Sequence, residues 1–357
     1  MNRARLKRLL SWALAVAELA FVAWVVPIRD VCETADAPHS RGPVTRTETA
    51  CIVHAPSGDV RVAREACAKL SCEPGLASTL QRARLGLLAT LFGAYLLGTV
   101  AWAARWRVLL TLAGVSLSLG ETWRLIIRAQ AAGILMPGGV GGDALRIGFL
   151  VGRGARTSIV VASVLLDRAI GLVTLATIAG CLGLAVSGDI GEGPAGRLRA
   201  LTYVLLCFPL VFPIGIALLR SPWLRRRVGV AALEPTLDYA ADPKAPRAFL
   251  RAFLVSLVVS AVQIGVIRGL VATVGASPLA EKWVYVGSAM GMIVSAVPAL
   301  PGGWGTADAA YVFFLGELGG LGAGVALAVC LLYRVFWYLS GALGAILQVV
   351  PGGTRRT

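Results

Sequence analysis

The chain has 357 residues, 57% of them hydrophobic and only 15% charged, with a mean hydropathy of +0.76. That balance excludes a soluble enzyme built on one core and indicates an integral membrane protein with several long apolar stretches. The net charge of +15 does not point to nucleic acid. The Lys and Arg sit mostly between apolar spans, where they set orientation and meet anionic lipid.

In chain order, Arg3, Arg5, Lys7 and Arg8 precede an apolar run from Leu9 to Ile28, long enough to cross a bilayer once. A cleaved signal is the alternative, because Ala35-Asp36-Ala37 resembles a cleavage site. The run is long for a signal core and holds Glu18, so residues 1–28 are expected to form a retained transmembrane helix. Residues 29–82 read as a polar extracytoplasmic loop without helical period. Its four cysteines, Cys32, Cys51, Cys67 and Cys72, allow three pairings, and outside the cytosol one or two disulfides are expected. His39 and His54 share the loop, but no C-x-x-C or H-x-x-x-H spacing accompanies them, and no metal or cofactor is expected.

Residues 83–350 read as the membrane domain. A span from Leu85 to Ala103 is followed by Arg105 and Arg107 and by a short interfacial helix over 106–119. The segment from Glu121 to Met136 is too short to cross the ~30 Å hydrocarbon core at 1.5 Å per residue. Glu121, Arg124 and Arg128 form a polar stripe on it, which a lipid-facing helix would not carry. It ends at Pro137-Gly138-Gly139-Val140-Gly141 and returns through 143–151. Spans follow at Ser158–Val186, Leu201–Leu219 and Phe249–Val274, with a basic connector between the last two. A second short segment, Val284 to Leu300, carries a small-residue stripe of Gly287, Gly291 and Ser295. It ends at Pro301-Gly302-Gly303-Trp304-Gly305 and returns through 307–318. The last span runs from Gly324 to Val350, and 351–357 is a basic tail.

The two P-G-G-x-G copies lie 164 residues apart and suggest an internal duplication. Broken backbone at membrane depth survives only when buried in protein or lining a cavity, and paired breaks in two halves point to a transport site. The expected fold is therefore all-α and polytopic, with about six full spans and two re-entrant helical hairpins in an inverted repeat. The distribution of Lys and Arg places both termini in the cytosol of a bacterial-type cytoplasmic membrane; Arg197 and Arg199 do not fit that scheme.

Charges inside the apolar segments carry the site. Asp143 and Arg146 follow the first break, Asp308 the second, and Arg334 lies in the last span. Asp167 and Arg168 are adjacent, and helix neighbours at i, i+1 do not face each other, so each needs a partner elsewhere. A charge at the bilayer centre costs at least ~2.5 kcal/mol on insertion scales, so each is paired or faces water. One reading is an internal ion-pair network, in which Asp143, Asp167, Asp308 and Glu317 balance Arg128, Arg146, Arg168 and Arg334. The other is a polar cavity, favoured by the clustering around two breaks. Likewise Gly138, Gly139, Gly141, Gly302, Gly303 and Gly305 serve either close packing or anion binding by bare backbone N–H groups.

Four motifs resemble one family. P-G-G-V-G-G-D-A-L-R, L-L-D-R-A-I-G-L, A-L-P-G-G-W-G-T-A-D-A-A and L-L-Y-R resemble, in order and spacing, the flippase-like transmembrane region of lysylphosphatidylglycerol synthases over roughly residues 85–350. The resemblance implies a polytopic inner-membrane protein linked to moving lipids between leaflets. Full synthases carry a soluble aminoacyl-transferase domain after this region, and the chain ends at Thr357, so lipid lysylation is not expected. The family usually has Glu where this chain has Asp308, and the Cys-bearing loop is an elaboration whose role the family does not supply.

There is no Gly-Lys dipeptide and hence no Walker A loop, no H-E-x-x-H, no G-x-S-x-G, and no His in an apolar span. No enzyme activity is expected. The expectation is a flippase-like transporter for an anionic or aminoacylated lipid of phospholipid or polyprenyl-phosphate type. Arg146 and Arg334, with Arg128 and Arg168, would hold the phosphate. Asp143, Asp167 and Asp308 would neutralise the empty site or relay a coupling ion, and Pro137 and Pro301 would hinge the breaks. The alternative is a non-transporting membrane partner of a lipid- or glycan-modifying enzyme.

Overall fold

The structure is a computed structural model that describes residues 29–33, 42–47, 49–55, 58–134, 140–186, 202–207, 214, 239, 242–275, 281–296 and 305–349. The expected first helix, most of the span at 201–219, both P-G-G tripeptides and the tail lie outside the described residues.

The polar loop is not a loop. It folds as a five-stranded antiparallel sheet of β1 (Val31–Glu33), β2 (Gly42–Arg46), β3 (Ala50–Ala55), β4 (Gly58–Ala63) and β5 (Ser71–Glu73), in the order β4-β3-β2-β1-β5. The sheet precedes the membrane domain, whose described elements are all helical, consistent with the expected all-α membrane fold. The sequence carried the period-2 signal of a half-buried sheet: Val44, Cys51 and Val53 point inward with Val60 and Val62. Cys32 lies opposite Cys72 on β5, and the two are bonded; Cys51 is bonded to Cys67, in the 3₁₀ turn Arg64–Lys69. The outer face carries polar groups. There His54 bridges Asp59 at 2.7 Å and Thr45 at 3.0 Å. A Cβ on Gly42 would fall 2.0 Å from the His54 carbonyl oxygen, so only glycine fits there. Asp30 accepts from the Gly75 N–H and the Ser78 hydroxyl, which ties the sheet to the short helix α1 (Leu76–Gln81).

The remaining described elements are helical: α2 (Leu85–Leu112), α3 (Leu119–Ile134), α4 (Val140–Val151), α5 (Thr157–Val186), α6 (Ala245–Thr273), α7 (Glu281–Ser295), α8 (Thr306–Tyr311, continued by a π turn Val312–Leu318) and α9 (Ala323–Val349). Four of these, over Leu85–Leu112, Thr157–Val186, Ala245–Thr273 and Ala323–Leu347, are long and apolar enough to cross a membrane. They coincide with four of the six expected spans, and residues 202–207 of a fifth are helical.

The interfacial helix expected over 106–119 is absent. Nothing in the sequence breaks α2 before Gly114, whose φ of 74° admits the bond from Val115 N–H back to the Leu110 carbonyl that closes the helix. Helix α3 then starts on a capping box. Ser118 accepts from the Glu121 N–H, and Glu121 accepts from the Ser118 N–H. Two hydrogen bonds from Ser118, the backbone one first, hold the Glu121 carboxyl below the usual carboxylate range. Arg153, after α4, pairs with the same carboxylate at 3.6 Å.

Contacts group the described residues into two compact units. One takes in the described residues of 29–90, Ile267–Ser288 and 305–333. Within it Leu76 packs with Val312, Ala323, Leu327 and Leu331. Gly287 admits Leu315 at a distance a Cβ would not tolerate, and Arg268 pairs with Glu281. The other unit takes in Leu91–Val266, Ala289–Gly303 and Arg334–Thr357. Its core joins Ala103, Trp106 and Leu110 of α2 to Leu125 and Ile126 of α3, Leu150 of α4, Val164 and Ile170 of α5, and Ala252 of α6. Helices α3 and α4 pack along each other as a hairpin. Gly142 makes that approach possible, because a Cβ there would meet the Ala129 carbonyl oxygen at 2.5 Å.

Candidate functional site

In the second unit, three helices bring charged side chains to one place. Helix α2 offers Trp102, Arg105 and Trp106, whose i, i+3, i+4 spacing puts them on one face. Helix α4 offers Asp143 in its first turn and Arg146 one turn later. Helix α5 offers Asp167 and Arg168.

Asp167 is the deepest member, with 1% of its side chain exposed. One carboxylate oxygen accepts from Arg105 Nε at 2.7 Å. The other accepts from Trp102 Nε1 at 3.0 Å and meets Arg146 Nη1 at 3.4 Å. Arg105 also donates to Ser256 on α6 at 2.9 Å, and its guanidinium lies across Gly171, where a Cβ would sit 3.1 Å from Nη1. A buried carboxylate is tolerable only when its desolvation is offset by such partners.

Asp143 forms the next link. Arg146 Nη2 donates to Oδ1, and Arg168 Nε donates to Oδ2 at 2.5 Å. The guanidinium of Arg146 is also flanked by two indoles, 4.8 Å from the Trp106 ring centroid and 5.6 Å from that of Trp102. The chain of charges thus runs from Arg105 through Asp167, Arg146 and Asp143 to Arg168. From Asp167 onward exposure rises, to 15% for Asp143 and 38% for Arg168. The expectation that adjacent Asp167 and Arg168 turn to different partners holds, with partners 62 and 25 residues away.

The other expected site residues are placed as follows. Arg128, on α3, donates to the Leu347 carbonyl in the last turn of α9. It therefore caps a helix C-terminus, a role that needs no ligand. Gln130 and Ser340 bond each other beside it, and Gln130 also reaches Tyr95. Arg334 is buried on α9. Asp308 is buried in the first unit, where it accepts from the Gly305 N–H at 2.9 Å and from the Cys330 thiol at 3.1 Å. Glu317 is exposed. Gly141 is a buried helical residue within α4, whereas Gly305 stands before α8 with a φ of 80°. The last glycine of the repeated motif thus adopts two conformations in its two copies. Pro137, Gly138, Gly139, Pro301, Gly302 and Gly303 lie outside the described residues.

Sequence reasoning missed Arg105, Trp102, Trp106 and Ser256. It ended the span at Ala103, which moved Arg105 outside the bilayer segment. The available signal was the run Trp102-Ala103-Ala104-Arg105-Trp106, which places a cation between two indoles on an unbroken helix.

This membrane domain, with its charged cluster built by the two motifs around Asp143 and Asp167, is matched over residues 75–344 by the family described as the lysylphosphatidylglycerol synthase TM region. The chain belongs to that family. The match begins after β5, so the disulfide-bonded sheet precedes the family region. No curated protein and no solved structure matches the chain. Among the described residues, no three His, Cys, Asp or Glu side chains group as metal ligands.

Proposed function

We propose that this member of the lysylphosphatidylglycerol synthase transmembrane family is a flippase-like transporter. Its cargo would be an anionic or aminoacylated lipid, of phospholipid or polyprenyl-phosphate type, moved across the cytoplasmic membrane. The observation that carries the proposal is the paired clamp of Arg146 and Arg168 on the two oxygens of one carboxylate, inside a membrane domain. Two guanidiniums holding two oxygens is the geometry that recognises a phosphate as well. Arg334, buried on α9, is the further guanidinium assigned to the cargo. Covalent chemistry is not part of this reading.

Reconstitution tests it. Purified protein in liposomes should move fluorescent phosphatidylglycerol between leaflets, and Arg168→Gln should stop the movement while the protein stays folded. Liposomes in which neither anionic, aminoacyl nor polyprenyl-phosphate lipids move would end the transport reading.

A second reading, a non-transporting partner of a lipid- or glycan-modifying enzyme, draws on the folded sheet of residues 31–73, which lies outside the family region. Under that reading Arg168→Gln is tolerated, and function is lost when the sheet is replaced by a linker.

A further inference from the structure

We infer that Asp143 is a built-in occupant of the anion clamp: it holds the position of a phosphate between Arg146 and Arg168, and a phosphate-bearing head group binds by displacing it. This rests on the transport reading and names how its site is regulated.

Four observations carry it. First, both Asp143 oxygens are used, one by each guanidinium, which is how a phosphate would share two of its oxygens. Second, Arg146 does not need Asp143 to keep its place. Arg146 retains Asp167 at 3.4 Å and the flanking rings of Trp102 and Trp106. Third, the two acids differ in access. Asp167 is 1% exposed and anchored by Arg105 and Trp102 as well, whereas Asp143 is 15% exposed beside the 38% exposed Arg168. The displaceable carboxylate is the one at the open end. Fourth, Trp106, wholly buried and stacked on Arg146, has an indole N–H with no acceptor among the described residues. A phosphate brings more acceptor oxygens than a carboxylate, and the Trp106 ring lies against the Arg146 guanidinium.

Asp143 also sits in the first turn of α4. Arg168 lies on α5, so filling the clamp with phosphate releases the N-terminal turn of α4 from α5.

The consequence is a gain of affinity on removing a charge. A site whose competent state is only partly populated binds more weakly by that fraction, so a clamp occupied by its own carboxylate about nine-tenths of the time binds about tenfold too weakly. The experiment uses the full-length protein in detergent and dioctanoyl phosphatidylglycerol as probe, with dioctanoyl glycerol as the uncharged control and inorganic phosphate as the head-group-free control. Asp143→Asn is expected to lower the Kd for dioctanoyl phosphatidylglycerol by about tenfold, and Arg168→Gln added to it is expected to abolish the gain. Preference for the lipid over inorganic phosphate assigns the site to a head group, and equal affinity assigns it to phosphate alone. Should Asp143→Asn fail to fold, carbodiimide labelling of the wild-type protein takes its place, with labelling of Asp143 expected to rise when the lipid is added. Wild-type binding with an unchanged or weaker Asp143→Asn overturns the competition alone, as does labelling that falls or stays level. Absence of binding by both proteins overturns the transport reading with it.

Discussion

At the scale of single residues, the cluster around Asp167 separates structural charges from displaceable ones. Asp167 satisfies Arg105, Arg146 and Trp102 together. Removing it leaves the buried Arg105 guanidinium without a carboxylate and Arg146 with Asp143 alone, and breaking a buried pair in this way costs about 3–5 kcal/mol. Asp167→Ala should therefore lower the melting temperature in detergent by many degrees, and an unchanged melt would show that the network contributes little. The double change Arg105→Met with Asp167→Leu should recover part of the loss, because removing both partners leaves no orphaned charge. Arg128 illustrates the opposite outcome. In the sequence it belongs to the same stripe as Glu121 and Arg124, yet the fold directs it to the carbonyl end of α9.

At the scale of elements, α3 is gripped from two sides by backbone. Gly142 of α4 faces the Ala129 carbonyl and Gly344 of α9 faces the Ile127 carbonyl, each at under 2.6 Å from where a Cβ would stand. Carbonyl oxygens of a helix cannot rotate away, so a methyl group must push the helices apart. Gly142→Ala and Gly344→Ala should each destabilise by about 1–3 kcal/mol. Gly148→Ala, on the same α4 but with nothing within 4 Å, should be neutral; equal melting of all three variants would contradict the packing. The sheet has its own staple. Opening Cys51–Cys67, which closes a 16-residue separation, should cost about 2–4 kcal/mol. Pulsed proteolysis of the Cys51→Ser, Cys67→Ser protein should report this as faster cleavage within residues 31–73, and wild-type resistance would show that the sheet stands without the bridge.

At the scale of the whole molecule, the disulfides bear on orientation. Two disulfides persist in an oxidising compartment, so the sheet is expected outside the cytosol and the C-terminal tail inside. A membrane-impermeant maleimide applied to intact cells should modify Cys32, Cys51, Cys67 and Cys72 only after reduction. A fluorescent protein fused after Thr357 should fold and emit as it does in the cytosol. Labelling of the four cysteines without reductant, or a dark C-terminal fusion beside a bright extracytoplasmic reporter, would reverse the orientation.

Much of this was legible in the chain before it folded. Apolar runs the length of a bilayer must be helices, because lipid offers no partner for backbone N–H and C=O groups; hence Leu85–Leu112, Thr157–Val186, Ala245–Thr273 and Ala323–Leu347 announce themselves. Two short runs ending at P-G-G, and four ordered motifs, were enough to reach the family. The sheet was missed because its strands are short and bounded by polar turns, and a half-buried strand of five or six residues leaves a faint period. Which charge meets which was beyond the sequence altogether. Asp167 finds Arg105 62 residues away, and Asp143 finds Arg168 25 residues away. Such pairings follow from how α2, α4 and α5 rotate and slide to bury their apolar faces, and only the packed helices determine that rotation.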